Sequence, residues 1–271
     1  MGTDRAAAFM DYYGIRESGN AISDPHHEFE NKNVLYRAQP VSPDNQVIAE
    51  SRKILLAARR TRPHPYRDDK ILSDWNGLMI TSFAMASRIL KEPRYAEAAS
   101  KAAEFISEKL KHADGRLLHR YRDGEAAIAG NLNDHAFMTE AYLSLYEAAH
   151  DPTWLELAKK TARHMIDFFW DETRGGFYLS AHDAEALITR PKEVYDGAVP
   201  SGNSVAAWTL LKLHRESGEA LWSDYAGQLF KAFSGEISRT PANFTRFLTA
   251  LEAAIGPSKV CLGDSCTLEN E

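Results

Sequence analysis

Three aspartate-bearing segments recur along the chain at nearly constant spacing. They are Asp74-Trp75-Asn76-Gly77, Asn133-Asp134-His135-Ala136 and Asp196-Gly197-Ala198-Val199-Pro200-Ser201-Gly202-Asn203, with the aspartates 60 and 62 residues apart. Each stands where the sequence predicts a helix to open. A helix, its antiparallel return and two connections fill roughly sixty residues, so the interval is that of a ring of helical hairpins aiming equivalent ends at one centre. The three aspartates are therefore expected to converge.

The hydrophobic pattern between these segments supports the same arrangement. Gly77 to Leu90 carries no charge before Arg88, as a helix covered on nearly all sides would. Arg94 to Lys111 instead places Tyr95, Ala98, Ala102, Phe105, Ile106 and Leu110 on one face and charges on the other, the pattern of an outer helix. The alternation repeats with Asp134–Ala149 (inner) and Thr153–Phe169 (outer), then Asn203–His214 (inner) and Leu221–Ile237 (outer), and a last inner helix spans Ala242 to Ile255. Upstream, helices are predicted from Asp4 to Tyr13 and from Ser42-Pro43-Asp44 to about Arg62. Asp114–Tyr121, and Gly175–Leu179 with Ala186–Thr189, read as short β-hairpins on the rim beside the inner-helix openings.

The predicted fold is an all-α, (α/α) toroid of helical hairpins. It forms one domain over 1–271, with an irregular connection at 15–42 and a tail at 257–271. A closed ring of six hairpins requires twelve helices and this chain supplies about nine, so the glycosidase-like barrel is expected to be incomplete, with apolar flanks open to a partner or to self-association.

Charge and motif content narrow the function. Lys and Arg total 32 against 38 Asp and Glu, for a net charge of −6 without any basic block, which disfavours nucleic acid and anionic membranes as partners. No run approaches the roughly 20 apolar residues of a membrane span, and Met1–Ala6 lacks a secretion pattern, so a cytoplasmic protein is expected. Cys261 and Cys266, four residues apart, make neither a C-x-x-C redox pair nor a zinc set, and are read as inert tail thiols. There is no Gly-rich phosphate loop, no H-E-x-x-H and no G-x-S-x-G, so no cofactor or metal is implied.

Convergent carboxylates at the mouth of a helical ring point to saccharide chemistry, in which one acid and one base or nucleophile face each other across the ligand. The candidate catalytic residues are Asp74, Asp134, His135 and Asp196. The candidate substrate-binding residues are Trp75, Asn76, Tyr121, Arg120, Tyr178, Arg190, Lys192, Ser201 and Asn203. Aromatic faces would stack on sugar rings and the cations would orient hydroxyls or a carboxylate. The competing reading is structural: Asp and Asn before a helix are good N-caps, a histidine at a helix start is commonly a hydrogen-bonded rim residue, and aromatics such as Phe137 and Tyr195 commonly belong to the core.

Four stretches, Arg67-Asp68-Asp69-Lys70-Ile71-Leu72-Ser73-Asp74-Trp75-Asn76-Gly77-Leu78, Leu132-Asn133-Asp134-His135-Ala136-Phe137, Gly175-Gly176-Phe177-Tyr178 and Asp196 to Ser204, resemble in order and spacing the thioredoxin-domain-containing family that includes the spermatogenesis-associated proteins. The chain end Val260-Cys261-Leu262-Gly263-Asp264-Ser265-Cys266 fits the same pattern, and the resemblance covers nearly all 271 residues. Family members look like a thioredoxin-like domain followed by a six-hairpin, glycosidase-like toroid related to acylglucosamine epimerases and unsaturated glucuronyl hydrolases. The thioredoxin-like region, its cysteine motif and the first toroid helices are absent from this sequence, so the resemblance implies only the carbohydrate-type half. Two functions follow as expectations. One is a hydrolase or epimerase using Asp74 with Asp134 or Asp196 as acid and base, His135 assisting and Trp75 stacking. The other is a noncatalytic scaffold that binds a saccharide, a thioredoxin-like partner or a second copy.

Overall fold

The computed structural model describes residues 2–21, 24–40, 46–185 and 188–256, and the backbone of 259–262 and 265–268. These fall into two compact units, Met1–Asp68 and Asp69–Glu271, where the sequence reading has a single domain over 1–271. The division follows a stretch with Pro63 and Pro65 in which no helix or strand forms.

In the first unit, α1 (Thr3–Tyr12) is followed by Gly14 at φ 61°, a backbone state that favours glycine, and α2 spans Gln46–Arg60. The predicted helix start at Ser42-Pro43-Asp44 lies outside the described residues. Among the described residues between the two helices no helix or strand forms. The strand-like run Asn33–Tyr36 forms no ladder because Asn20 takes its backbone groups: Asn20 Oδ1 accepts from Val34 N at 2.8 Å and Nδ2 donates to Val34 O at 2.9 Å.

The second unit is the helical array. Its elements are β1 (Ile71–Leu72), α3 (Ser73–Leu90), α4 (Pro93–Lys109), β2 (Leu118–Arg122), β3 (Glu125–Ala129), α5 (Leu132–Ala149), α6 (Pro152–Phe169), α7 (Gly202–Ser217), α8 (Ala220–Arg239) and α9 (Thr245–Ile255), with a 3-10 turn at Pro241–Asn243. Helix α5 packs between α3 and α7, and α9 packs on α7, making an inner row. Helices α4, α6 and α8 each fold back on the inner helix that precedes them. This is the (α/α) toroid arrangement, with three hairpins and one further inner helix among the described residues.

Burial explains the layering. From Leu132 to Leu145 every residue of α5 except Asn133 is buried, as befits a helix with neighbours on several sides. The outer helices bury one stripe each: Ala99, Ala103 and Ile106 on α4, Trp154, Ala158, Ala162, Met165 and Phe169 on α6, and Trp222, Ala226, Leu229 and Phe233 on α8. On α4 the stripe is turned by one residue from the expected one, leaving Ala98 exposed, because small side chains at 99 and 103 let the helices approach. Ion pairs also cross the inner row. Glu147 of α5 pairs with Arg88 of α3 and with Lys212 of α7, and Glu140 pairs with Arg246 of α9, whose guanidinium lies 5.0 Å from the Trp208 ring centre.

Strands β1, β2 and β3 form one antiparallel sheet beside the openings of α3 and α5; the predicted run Asp114–Tyr121 supplies only most of β2, and its hairpin partner β3 lies beyond those bounds. Asp123 and Gly124 turn the β2–β3 hairpin with both φ angles positive, 51° and 84°. The second excursion makes only an isolated bridge, Trp170 to Phe177, rather than the expected hairpin; Ala186 and Leu187 lie outside the described residues. Beyond α9, the expected tail pairs as β4 (Lys259–Leu262) and β5 (Ser265–Leu268), with Cys261 opposite Cys266 in register.

The contact of α3 with α5 depends on Gly77, where an added Cβ would lie 2.8 Å from the Phe137 carbonyl carbon and 2.9 Å from its Cβ. Gly77→Ala gains helix propensity of about 1 kcal/mol but forces the helices apart, so a net loss of about 1–3 kcal/mol is expected in urea denaturation.

Candidate functional site

Helices α3 and α5 present adjacent N-termini, and the Asp134 carboxylate lies between them. Asn131 caps α5 by accepting from the N–H groups of Asn133 and Asp134, and Asp134 Oδ2 in return accepts from Asn131 N at 2.8 Å, a reciprocal capping box. Asp134 Oδ1 reaches across to accept from Asp74 N at 3.0 Å, satisfying a free N–H in the first turn of α3, which has no side-chain cap of its own. The third donor is His119 of β2, whose Nδ1 lies 2.9 and 3.0 Å from the two Asp134 oxygens. Asp134 is fully buried, while His119 and Asp74 are partly exposed.

The sequence brings Asp74 and Asp134 together correctly, but His119 is the histidine that joins them. Burial raises the Asp74 carboxyl above its ordinary pKa, and repulsion from Asp134 adds to the effect. The hydrogen bond to Asp134 raises the His119 pKa, with burial opposing it. Trp75, the next residue to Asp74, is 64% exposed and offers an open ring face beside the cluster. Asn76 donates from Nδ2 to Leu72 O at 2.8 Å, securing the first turn of α3.

His135 turns away from this cluster. It is fully buried, with Nδ1 2.8 Å from Asn131 O and Nε2 accepting from Leu117 N at 3.4 Å, and its ring centre lies 5.0 Å from that of Phe169. Adjacent residues on a helix point about 100° apart, so the neighbour of a rim aspartate faces the core. Asp196 also stands elsewhere. It does not open α7, whose N-cap is Ser201; its Oδ1 accepts from Ser201 N at 3.0 Å and its Oδ2 from Arg246 N and Phe247 N at 2.8 and 3.1 Å. The carboxylate terminates α9 from fifty residues upstream.

The remaining candidates divide between these regions. Tyr121 lies on β2 with its ring edge-on to Phe105, and Arg120 on the same strand pairs in register with Leu72 and Ala127. Tyr178, Arg190 and Lys192 gather around buried Asp171: Tyr178 Oη and Lys192 Nζ donate to its Oδ2 at 2.8 and 2.6 Å, and the Arg190 guanidinium lies 4.2 Å from the Tyr178 ring centre. The Lys192 bond holds Asp171 well below the usual carboxylate range. Asn203 is buried, donating to Phe177 O and Glu193 O while accepting from Phe177 N, and so fastens the second excursion. Phe137 is core, and Tyr195 is exposed.

A cavity of about 380 Å³ adjoins the cluster behind Asn131, lined by Leu117, Ala129, Gly130, Asn131 and Ala181. Arg116 closes it, donating to both Asp183 oxygens at 2.8 and 2.9 Å with its guanidinium 3.9 Å from the Phe168 ring centre. Asp74, His119 and Asp134 offer atoms within 4.8 Å of one another, a spacing that metal ligands also show. Here, however, three N–H donors already engage the Asp134 oxygens, so the donor set suits a hydrogen-bonded acid and base group.

Among known proteins, the N-acylglucosamine 2-epimerase (GlcNAc 2-epimerase) family matches residues 77–234. Spermatogenesis-associated protein 20 of Homo sapiens is 33% identical over 267 residues, covering 90% of this chain and 34% of that protein, and its Mus musculus counterpart gives the same figures. The chain thus spans about a third of the length of the curated relatives it matches. Cellobiose 2-epimerase from Spirochaeta thermophila superposes with a TM-score of 0.51 at 21% identity, covering 60% of this chain and 43% of that one. The unsaturated glucuronyl hydrolase from Bacillus sp. GL1 gives 0.55 at 17% identity, covering 78% and 70%. These likenesses establish the toroid fold and agree with the resemblance seen in the motifs.

Burial depresses the His135 pKa to about 4, against about 6.5 in an unfolded chain. Between those values the folded state binds fewer protons than the unfolded one, so unfolding free energy falls as pH drops through this window, by up to about 3 kcal/mol. Urea denaturation at neutral and acid pH is expected to show this slope, and His135→Gln is expected to flatten it whatever its own stability.

Proposed function

The chain belongs to the N-acylglucosamine 2-epimerase family, and from that premise we propose that it binds a saccharide at the rim formed by the openings of α3 and α5 and acts on it by acid and base chemistry. The observation that carries this reading is the convergence of Asp74, His119 and Asp134 beside the exposed ring of Trp75. A sugar presents alternating apolar C–H faces and hydroxyl edges. An open indole takes the former, and a half-exposed carboxyl with an adjacent imidazole takes the latter. Asp74, whose carboxyl burial raises above its ordinary pKa, is placed to donate a proton, and the Asp134–His119 pair to accept one. Asp196 has no part in this scheme, since its carboxylate's described hydrogen bonds come from backbone groups of α9 and of Ser201 before α7.

The named neighbours suggest a first panel of ligands: N-acetylglucosamine, cellobiose and an unsaturated glucuronide. Glucuronide binding would need a cation near the rim, for which Arg120 on β2 is a candidate.

A second reading rests on the free flank of α3. Trp75, Met79, Ser82, Ala86 and Ile89 follow one another at four-and-three spacing, with Met79 54% and Ile89 71% exposed. Among the described residues of the second unit, no helix packs on this side of α3. On this reading α3 pairs with a further helix, in a second copy of the chain or in a partner such as a thioredoxin-like domain.

Trp75→Ala is expected to weaken binding of the preferred sugar about tenfold or more in isothermal titration, while leaving unfolding free energy within about 0.5 kcal/mol. Unchanged affinity, or no binding across the panel, would remove the saccharide reading. For the free flank, light scattering behind size exclusion should find a dimer that Met79→Glu with Ile89→Glu dissolves; a monomer at every concentration argues against self-association.

A further inference from the structure

We infer that His119 is the group that exchanges protons with the ligand at the rim, and that Asp134 acts through it as a positioning residue. The inference rests on the saccharide reading of the site.

Three observations lead to it. First, Asp134 is enclosed. Its oxygens accept from the backbone of Asn131 and of Asp74 and from His119, and the residue has no exposed surface, so no ligand touches it directly. Second, His119 joins that buried carboxylate to the outside. Its side chain is 23% exposed, and its Nδ1 is fixed against both Asp134 oxygens while Nε2 makes no hydrogen bond among the described residues. A carboxylate can only accept, so the proton between them sits on Nδ1, which leaves the Nε2 lone pair free in the neutral ring. Third, the opposite strand is strained at this position. Register puts Ile128 across from His119, and Ile128 has φ 67°, a left-handed conformation that a β-branched residue rarely adopts. Such strain gathers where a fold holds a side chain to a task.

The groups facing His119 from each packed element are few. Helix α5 contributes Asp134 and α3 contributes Asp74; on β3 the residues paired with its neighbours Leu118 and Arg120 are Ala129 and Ala127, and β1 pairs only with Arg120 and Tyr121, through Leu72 and Ile71. Two carboxylates and no cation bear on the ring, so an imidazolium formed there is stabilised. In the proposed step Nε2 takes a proton from a hydroxyl of the ligand or from a water it positions. The positive charge formed is paired with Asp134. Asp74 in its acid form releases a proton to the ligand on its own side and becomes a carboxylate. One proton leaves the ligand and one arrives, nothing is oxidised, and exchange with solvent restores both groups.

The test is nitrogen-15 NMR of the histidine rings in the full chain, with His119→Gln assigning the signal. Neutral His119 is expected to carry its proton on Nδ1 and to titrate above the ordinary value of about 6.5. Asp134→Asn should lower that midpoint by about one pH unit or more, and Asp74→Asn by less. Asp74→Asn leaves the buried cap in place, so it gives a reading even if Asp134→Asn unfolds. Adding the tightest-binding sugar of the panel should move the His119 midpoint and leave His135 unchanged. A neutral ring protonated on Nε2, or a midpoint that neither aspartate variant moves, overturns the inference. A sugar that binds through Trp75 without shifting His119 overturns it too. Failure of every sugar to bind would instead remove the saccharide reading, and the dyad would stand or fall on the tautomer and the variant shifts.

Discussion

One buried carboxylate organises the rim of this molecule. Asp134 closes the capping box of α5, accepts from Asp74 N in the first turn of α3, and anchors β2 through His119. A carboxylate taken out of water is tolerated only when its lone pairs are filled, and here three donors from three separate segments fill them. The same contacts set the relative position of the two helix openings and the sheet, so the geometry of the candidate site and the seating of the first two inner helices are one problem with one solution. Gly77 completes it by letting α3 come close enough to α5 for the bond from Asp74 N to reach.

Much of this architecture was legible in the residues. The alternation of uncharged and amphipathic helices predicts the inner and outer rows, because a helix surrounded on most sides has no face to give to charge. The interval from Asp74 to Asp134 predicts their meeting for the same reason that a repeated hairpin brings equivalent ends together. Extending that interval to Asp196 does not succeed in the same way: the third aspartate precedes α7 by six residues and bonds to α9, and Ser201 is the residue at the expected place. The spacing of a repeat fixes where a turn of chain falls, and it leaves open which residue in that turn does the capping.

His119 and His135 show a second limit. His135 stands next to the key aspartate in sequence, and helical geometry sends it into the core. His119 lies fifteen residues upstream on a strand whose register decides what it touches. A sequence pattern cannot rank two such histidines, since the deciding quantity is the pairing of β2 with β1 and its placement over the helix openings. The aromatic candidates divide likewise: Trp75 follows a helix start and stays open, whereas Phe137, three residues into α5 beyond Asp134, fills the gap above Gly77.

Helix α9 is the least self-sufficient element of the array. No side chain of its own caps it; Phe244 stands at the N-cap without a side-chain bond, and the acceptor for its first N–H groups comes from a loop that also carries the backbone of Asp196 onto Asn243. Its guanidinium then reaches Glu140 in the middle of α5. The last helix is thus moored at two points laid down much earlier in the chain, so disturbing either the 190s loop or the central helix would loosen it. The stability of the C-terminal end of the row is therefore borrowed from α5 and from the loop before α7.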